Sequence, residues 1–312
     1  MRQVHNQGHS VHDRLLHLAH REQQPYDLVL VRYALERLLY RLSCSEYRSR
    51  FVLKGAFLFA AWREAVLRPT RDMDLLGYGA PDVPTLVNIF TMLCTVAVPD
   101  DGLEFLADSV RGDEIREGDV YHGVRIRLTA RLASALIPLQ VDIGFGDAIT
   151  PPAEELEFPT LLDFPAPYVL TYPKPVVVAE KFEAMVTLGM ANSRMKDFYD
   201  LWMLAHRFAF EGEVLSQALQ AIFQRRQIRL PTDVPLALTP TFAEDGVKRA
   251  QWAAFIRRGR LGAVEVSLTR LITLLRAFLL PPVYSAAFGV PFRSTWSPGG
   301  PWQSQLSSVE SR

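Results

Sequence analysis

The chain has 312 residues, of which 49% are hydrophobic and 22% charged, so it can bury a sizeable core and lacks the composition of a disordered protein. Lysine plus arginine and aspartate plus glutamate each total 34, and this zero net charge excludes a chain-wide basic surface for nucleic acid, leaving only a local basic patch. With two cysteines, no apolar signal core and no apolar run of about 18 residues, we expect a cytoplasmic protein without a disulfide framework or membrane span.

The first half of the chain interleaves helical and strand patterns. Residues 1–24 are predicted to form a helical lead-in, and Pro25 opens a long amphipathic helix. Strands are predicted at Phe51–Leu53, Thr70–Leu76, Leu103–Ala107, Tyr121–Leu132 and Leu136–Ile143. Further helices are predicted at Ala56–Trp62 and Val83–Val96. Residues 25–160 are therefore assigned to a mixed α/β (α+β) core.

The second half of the chain has mainly helical periodicity. Residues 144–175 are rich in glycine, proline and acids, which indicates a long connection, and residues 230–246 have the composition of a loop. Helices are predicted at Val177–Met190, Lys196–Phe208, Glu213–Arg225 and Leu261–Leu280. We assign residues 161–280 to a C-terminal helical domain and residues 281–312 to a flexible tail.

Lys54-Gly55-Ala56 stands where a predicted strand meets a predicted helix. A glycine at such a corner lets the backbone approach a ligand closely, and the helix start offers free N–H groups to a phosphate. From these residues alone, a glycine that simply makes a tight strand–helix turn is the simpler interpretation.

Three acids occupy positions that suit a metal ion. Asp72 and Asp74 are two residues apart in a predicted strand and share one face, where their repulsion favours an intervening cation. Asp142 interrupts another apolar strand, which is costly unless the carboxylate is paired or metal-bound. If the strands are neighbours, three carboxylates converge on a site suited to magnesium. The alternative is an exposed acidic strand edge. Asp147 follows Gly146 in a predicted loop, and we expect it to be a surface acid.

The combination of these motifs resembles the AbiEii/AbiGii-type toxin family of the polymerase-beta nucleotidyltransferase superfamily. The resemblance lies in residues 51–55, 68–77, 141–144, 179–185 and 193–201, and it covers roughly residues 10 to 280. It implies a polymerase-beta-like nucleotidyltransferase core with a C-terminal helical domain. One departure is that the usual Gly-Ser or Gly-Gly pair is Gly55-Ala56 here, so Ala56 offers a backbone N–H and no hydroxyl.

The resemblance also implies roles for individual residues. The implied catalytic residues are Asp72, Asp74, Asp142, Lys181 and Asp197, and the implied nucleotide-binding residues are Lys54, Gly55, Ala56, Arg71 and Lys181. The three core aspartates would hold two magnesium ions, with manganese as an alternative. From spacing alone, the pairs Arg194–Asp197 and Lys196–Asp200 are explained as ordinary ion pairs on a helix surface, and we assign Asp200 a structural role.

The implied function is transfer of a nucleoside monophosphate from a nucleoside triphosphate to an acceptor hydroxyl, by the toxin of a bacterial type IV toxin–antitoxin or abortive-infection (phage-defence) system. The implied partners are a cognate antitoxin and, as acceptor, the 3′ end of tRNA. Two alternatives stay open: the acceptor is a protein or small molecule, or the chain binds nucleotide without turnover. Basic residues form either a solvated face or an RNA surface. They are Arg125, Arg127, Arg225, Arg226, Arg229, Lys248, Arg249, Arg257, Arg258 and Arg260.

Overall fold

A computed structural model describes residues 7–62, 68–117, 121–147, 149–261 and 266–304, and the chain divides into two compact units. Unit 1 is Met1–Arg63, Pro69–Asp147 and Ala153–Tyr172, and unit 2 is Glu64–Arg68, Ala148–Pro152 and Pro173–Arg312. The main division therefore falls at residue 172 and not at the predicted residue 160. The reason is that two strands of the large sheet lie within the segment predicted as a connection.

Unit 1 is built on a seven-stranded mixed sheet. Its strands are β1 (Phe51–Lys54), β2 (Asp72–Gly77), β3 (Leu103–Glu117), β4 (Tyr121–Leu132), β5 (Ala135–Phe145), β6 (Glu154–Glu157) and β7 (Tyr168–Thr171). Its helices are α1 (Gln7–Arg21), α2 (Tyr26–Ser43), α3 (Gly55–Leu58) and α4 (Val83–Cys94). The strand order is β3-β4-β5-β2-β1-β7-β6, and β2 runs parallel to β5 and antiparallel to β1.

The two faces of the sheet differ in polarity because side chains alternate along each strand. In β5, Leu139, Val141 and Ile143 are buried, whereas the residues between them, Gln140 and Asp142, are only half-buried. Helices α2 and α4 pack against the sheet. The central strands therefore anchor one face in the core and present polar side chains on the other.

Unit 2 is mainly helical. Its helices are α5 (Lys174–Leu188), α6 (Met195–Arg207), α7 (Gly212–Arg225), α8 (Pro240–Glu244), α9 (Gly246–Arg258) and α10 (Leu268–Phe288). Short strands β8 (Phe210–Glu211), β9 (Ser294–Trp296) and β10 (Trp302–Ser304) form a second sheet. Within the described residues, α10 is long and apolar enough to cross a bilayer by length and composition. Its side chains Leu271, Leu275 and Phe278 are fully buried inside unit 2. The predicted fold class, a mixed α/β core followed by helices, is confirmed.

The C-terminal segment is more ordered than the sequence suggested. Residues 281–288 continue helix α10 through two prolines, and residues 294–304 contribute β9 and β10. Trp296 is 1% exposed, and its indole N–H donates to the carbonyl of Ala205 at 2.6 Å. The prediction of a flexible tail is therefore wrong for residues 281–304, because contacts with distant residues hold this segment. Residues 305–312 lie outside the described part of the chain.

Candidate metal and nucleotide site

The predicted acidic residues converge in unit 1. Strands β2 and β5 are parallel neighbours, with Asp74 directly opposite Asp142 and Asp72 opposite Gln140. Carboxylate oxygens of Asp72, Asp74 and Asp142 lie within 4.8 Å of one another, and all three residues are half-buried. Strand register therefore places carboxylates from two distant parts of the sequence on one face of the sheet.

This donor set fits a hard divalent cation. Three carboxylates supply only oxygen ligands, which Mg²⁺ and Mn²⁺ prefer in proteins. Like charges this close repel each other unless a cation offsets them. The half-burial of the three residues leaves the carboxylates accessible to an ion and to substrate phosphate oxygens.

Position 55, next to the acidic cluster, requires a glycine for two reasons. It has a φ of +69°, a conformation that favours glycine. A Cβ atom at this position would lie 1.9 Å from Oδ2 of Asp74. Gly55 thus makes the strand–helix turn, as the simpler interpretation held, and its missing side chain also leaves the space that the Asp74 carboxylate fills.

Arg125 of β4 is bound to the third carboxylate. Its Nε and Nη2 donate to Oδ1 and Oδ2 of Asp142, each at 2.7 Å, and Gln140 Nε2 donates to Oδ2 at 3.2 Å. Both arginines that were suggested for an RNA surface are paired with acids, Arg125 with Asp142 and Arg127 with Asp113. Their contribution to an RNA surface stays a prediction. Alternation placed both arginines on the polar face correctly but could not identify their partners.

Asp147 is a buried acid, and its prediction as a surface residue is wrong. Its side chain is 2% exposed, and Lys54 Nζ lies 2.6 Å from its Oδ2. The Lys54 amino group also lies 5.2 Å from the centre of the Tyr172 ring. The chain turns at Gly146 with a φ of +77°, which returns Asp147 to the sheet beside Lys54. A loop path of this kind leaves no local pattern in the sequence.

Ala56 and Arg71, the remaining two predicted nucleotide-binding residues of unit 1, differ in solvent exposure. Ala56 is buried in helix α3. Arg71 is mostly exposed, and its guanidinium pairs with the Asp27 carboxylate on helix α2. The hydrogen bond from Arg71 holds the pKa of Asp27 below its usual value.

Lys181 and Asp197 meet in unit 2. Lys181 Nζ on helix α5 lies 2.8 Å from Oδ1 of Asp197 and 2.8 Å from Oδ2 of Asp200, both on helix α6. Burial on its own would lower the pKa of Lys181, but the two carboxylates outweigh it and raise the pKa above the usual value. Lys181 is therefore a cation at neutral pH.

The two acids of α6 are buried and strongly paired, so their description as surface ion pairs is corrected. Their side chains are at most 2% exposed. Arg194 Nε lies 2.8 Å from Oδ2 of Asp197, and Arg68 binds both oxygens of Asp200 at 2.8 and 3.0 Å. Burial would raise the pKa of Asp197, but Lys181 and Arg194 lower it overall.

The basic residues of the helical part do not all reach solvent. Lys248 is 6% exposed and donates to the carbonyl of Asn192 at 2.9 Å, and Arg226 lies 3.5 Å from Glu183. The exposed members are Arg225, Arg229, Arg249, Arg257, Arg258 and Arg260.

Solved structures from Helicobacter pylori are similar to this chain at low sequence identity. The crystal structure of JHP933 from Helicobacter pylori is 14% identical, with a TM-score of 0.45 over 82% of this chain and 89% of that chain. A second H. pylori structure, described provisionally as a nucleotidyltransferase, is 13% identical, with a TM-score of 0.45 over 84% and 93%. A search among curated proteins finds no match.

The sequence profile of one family matches residues 37–270, a range that includes all of the predicted site residues. That family is described as "Nucleotidyl transferase AbiEii toxin, Type IV TA system". The chain therefore belongs to the AbiEii family of nucleotidyltransferase toxins of type IV toxin–antitoxin systems, and it is a nucleotidyltransferase.

Proposed function

We propose that the chain transfers a nucleoside monophosphate from a nucleoside triphosphate to an acceptor hydroxyl, with Asp72, Asp74 and Asp142 holding magnesium or manganese. The observation that carries this proposal is the convergence of the three carboxylates within 4.8 Å across two parallel strands. Bound ions would supply Lewis-acid chemistry, activating the acceptor hydroxyl and neutralising the triphosphate.

The residues around the carboxylates would orient the nucleotide. Gly55 gives the Asp74 carboxylate its space, and the backbone N–H groups of Gly55 and Ala56 would donate to phosphate oxygens. Lys54 would add a positive charge next to them, held in place by Asp147 at 2.6 Å. Arg71 completes the proposed nucleotide-binding set in this unit.

Lys181 and Asp197 are proposed as further functional residues on the basis of the family. The raised pKa of Lys181 suits a residue that binds phosphate as a cation and not one that removes a proton at neutral pH. Asp197 would then fix the position of the Lys181 amino group through their 2.8 Å contact.

The proposed acceptor is the 3′ end of tRNA, and the proposed location is the bacterial cytoplasm. There the chain would act in phage defence as a toxin that a cognate antitoxin restrains. The toxin–antitoxin family supports the antitoxin and the nucleotide substrate. Exposed arginines of unit 2, such as Arg249, Arg257 and Arg258, could contact tRNA phosphates. The two alternatives are transfer to a protein or small molecule and nucleotide binding without turnover.

One assay separates these functions. Purified chain, Mg²⁺ and each labelled nucleoside triphosphate are incubated with tRNA, with total protein or with small hydroxyl compounds. We expect label at the 3′ end of tRNA and a loss of about 100-fold or more in Asp74→Asn, because one ion ligand is removed. Asp108→Asn, an exposed acid on strand β3, is the matched control and should keep full activity. Label in protein alone would exclude the tRNA acceptor, and toxicity that depends on Asp74 without any product would favour binding without turnover.

A further inference from the structure

Four charged residues stand side by side across the centre of the large sheet. Lys54 of β1 lies opposite Asp74 of β2. Asp74 lies opposite Asp142 of β5, which in turn lies opposite Arg125 of β4. Partners at one register share a face of the sheet, so the row reads cation, carboxylate, carboxylate, cation. Two carboxylates of the candidate ion site are therefore flanked by positive charges.

Each cation of this row has a close carboxylate partner. The Lys54 amino group lies 2.6 Å from Oδ2 of Asp147, which is outside the three-carboxylate cluster. Arg125 engages both oxygens of Asp142 at 2.7 Å in a half-buried pair. A bidentate guanidinium–carboxylate pair is strong and directional, so Arg125 fixes the plane of the Asp142 carboxylate and neutralises its charge.

We infer that Arg125 is a positioning residue that competes with divalent ions for Asp142 and thereby makes ion binding depend on the nucleotide. This inference rests on the proposed function, in which Asp142 is an ion ligand. A divalent ion beside the Arg125 guanidinium meets a repulsion that Asp72 and Asp74 offset only in part. A triphosphate adds negative charge at the same place. A divalent ion without nucleotide therefore binds weakly to the three carboxylates, and it binds more tightly when a triphosphate is bound with it.

The inference predicts a gain in ion affinity on loss of the guanidinium. Mn²⁺ binding to the full chain is measured by electron paramagnetic resonance, with and without a non-hydrolysable nucleoside triphosphate. Without nucleotide, Arg125→Gln should bind Mn²⁺ roughly tenfold more tightly than wild type, because a unit positive charge next to an ion ligand is removed. The enhancement of Mn²⁺ binding by nucleotide should shrink correspondingly. Arg125→Lys keeps the charge but cannot bind both oxygens, so its affinity should fall between the two.

Arg127→Gln is the matched control. Arg127 lies two residues along the same strand and pairs with Asp113 on the surface, so its removal should leave Mn²⁺ affinity within about twofold of wild type. Unchanged or weaker Mn²⁺ binding by Arg125→Gln would overturn the inference. If Arg125→Gln does not fold, unchanged Mn²⁺ binding by Arg125→Lys would overturn it instead. A different result would show that the proposed function itself is wrong. If the three carboxylates do not hold an ion, wild type and Asp74→Asn would bind Mn²⁺ equally or not at all.

Discussion

At the residue scale, Gly55 is the position where backbone conformation and the candidate site constrain each other most directly. Its φ is +69°, and a Cβ there would lie 1.9 Å from Oδ2 of Asp74. Gly55→Ala should therefore displace the Asp74 carboxylate. We expect Mn²⁺ affinity to fall at least about tenfold and nucleotidyl transfer to be lost, in addition to a strain cost of about 1–2 kcal/mol in the free energy of unfolding. Mn²⁺ titration and urea unfolding measure the two effects separately.

Gly289 provides the control for this substitution. It ends helix α10 with a φ of +65°, but a Cβ there meets no atom within 4 Å. Gly289→Ala should therefore lose a similar amount of stability and bind Mn²⁺ like wild type. Equal Mn²⁺ binding by the Gly55 and Gly289 variants would contradict a role for Asp74 at its present position.

The residues of the site differ in how far the sequence reveals them. Alternation along a strand was enough to place Asp72 and Asp74 on one face, and an acid inside an apolar strand identified Asp142. The partner of Arg125 and the burial of Asp147 were not predicted, because they depend on strand register and on the path of a loop. Neither property is encoded within a few neighbouring residues.

At the element scale, helix α2 carries a buried carboxyl group that ties it to the segment before β7. Glu36 is 1% exposed and accepts a hydrogen bond from the backbone N–H of Leu161 at 2.8 Å. Burial raises the pKa of Glu36 to about 7, although the Leu161 N–H and the charges of Arg37 and Arg32 act to lower it. Asp101 adds to the increase. The folded protein therefore holds the Glu36 proton more tightly than the unfolded chain does.

This difference makes the stability of unit 1 depend on pH. Because the folded pKa of Glu36 is raised, its protonated form stabilises the protein below the ordinary value of 4.5, and that contribution is lost as pH rises to about 7. The loss approaches about 3 kcal/mol, at about 1.4 kcal/mol for each pH unit between the two pKa values. Urea unfolding at pH 5 and pH 7.5 should show most of this decrease in wild type but a smaller one in Glu36→Gln. Glu104→Gln, in an exposed ion pair with Arg131, should keep the wild-type decrease, and identical pH dependence in all three proteins would contradict the assignment.

The elements that sequence patterns missed share a physical cause. Helix α9 buries only Lys248 and Trp252, so it lacks the apolar stripe that marks a helix. Strands β6, β9 and β10 have three or four residues each and are too short to show clear alternation. In contrast, α5, α6 and α7 each bury several apolar side chains and were predicted within a few residues of their observed ends.

At the scale of the whole molecule, the candidate ion site depends on long-range folding. Strands β2 and β5, which carry the three carboxylates, are separated in sequence by helix α4 and the β3–β4 hairpin. The ligands therefore come together only when the sheet of unit 1 has formed. An ion that binds them binds the folded chain and not the unfolded one, so ion binding and the stability of this unit are thermodynamically linked.

Hydrogen exchange can test this linkage without any measurement of activity. At a concentration 100 times the dissociation constant, an ion adds about 2.7 kcal/mol to the stability of the fold that binds it. Those amides of β2 and β5 that exchange only through unfolding of the sheet should therefore slow by about 100-fold when Mn²⁺ and a non-hydrolysable triphosphate are added. Asp74→Asn should show no such slowing because a ligand is lost, while Asp108→Asn should behave like wild type. If the exchange rates in β2 and β5 are unchanged in wild type, or slow equally in Asp74→Asn, the ion does not bind through these carboxylates and the proposed chemistry loses its site.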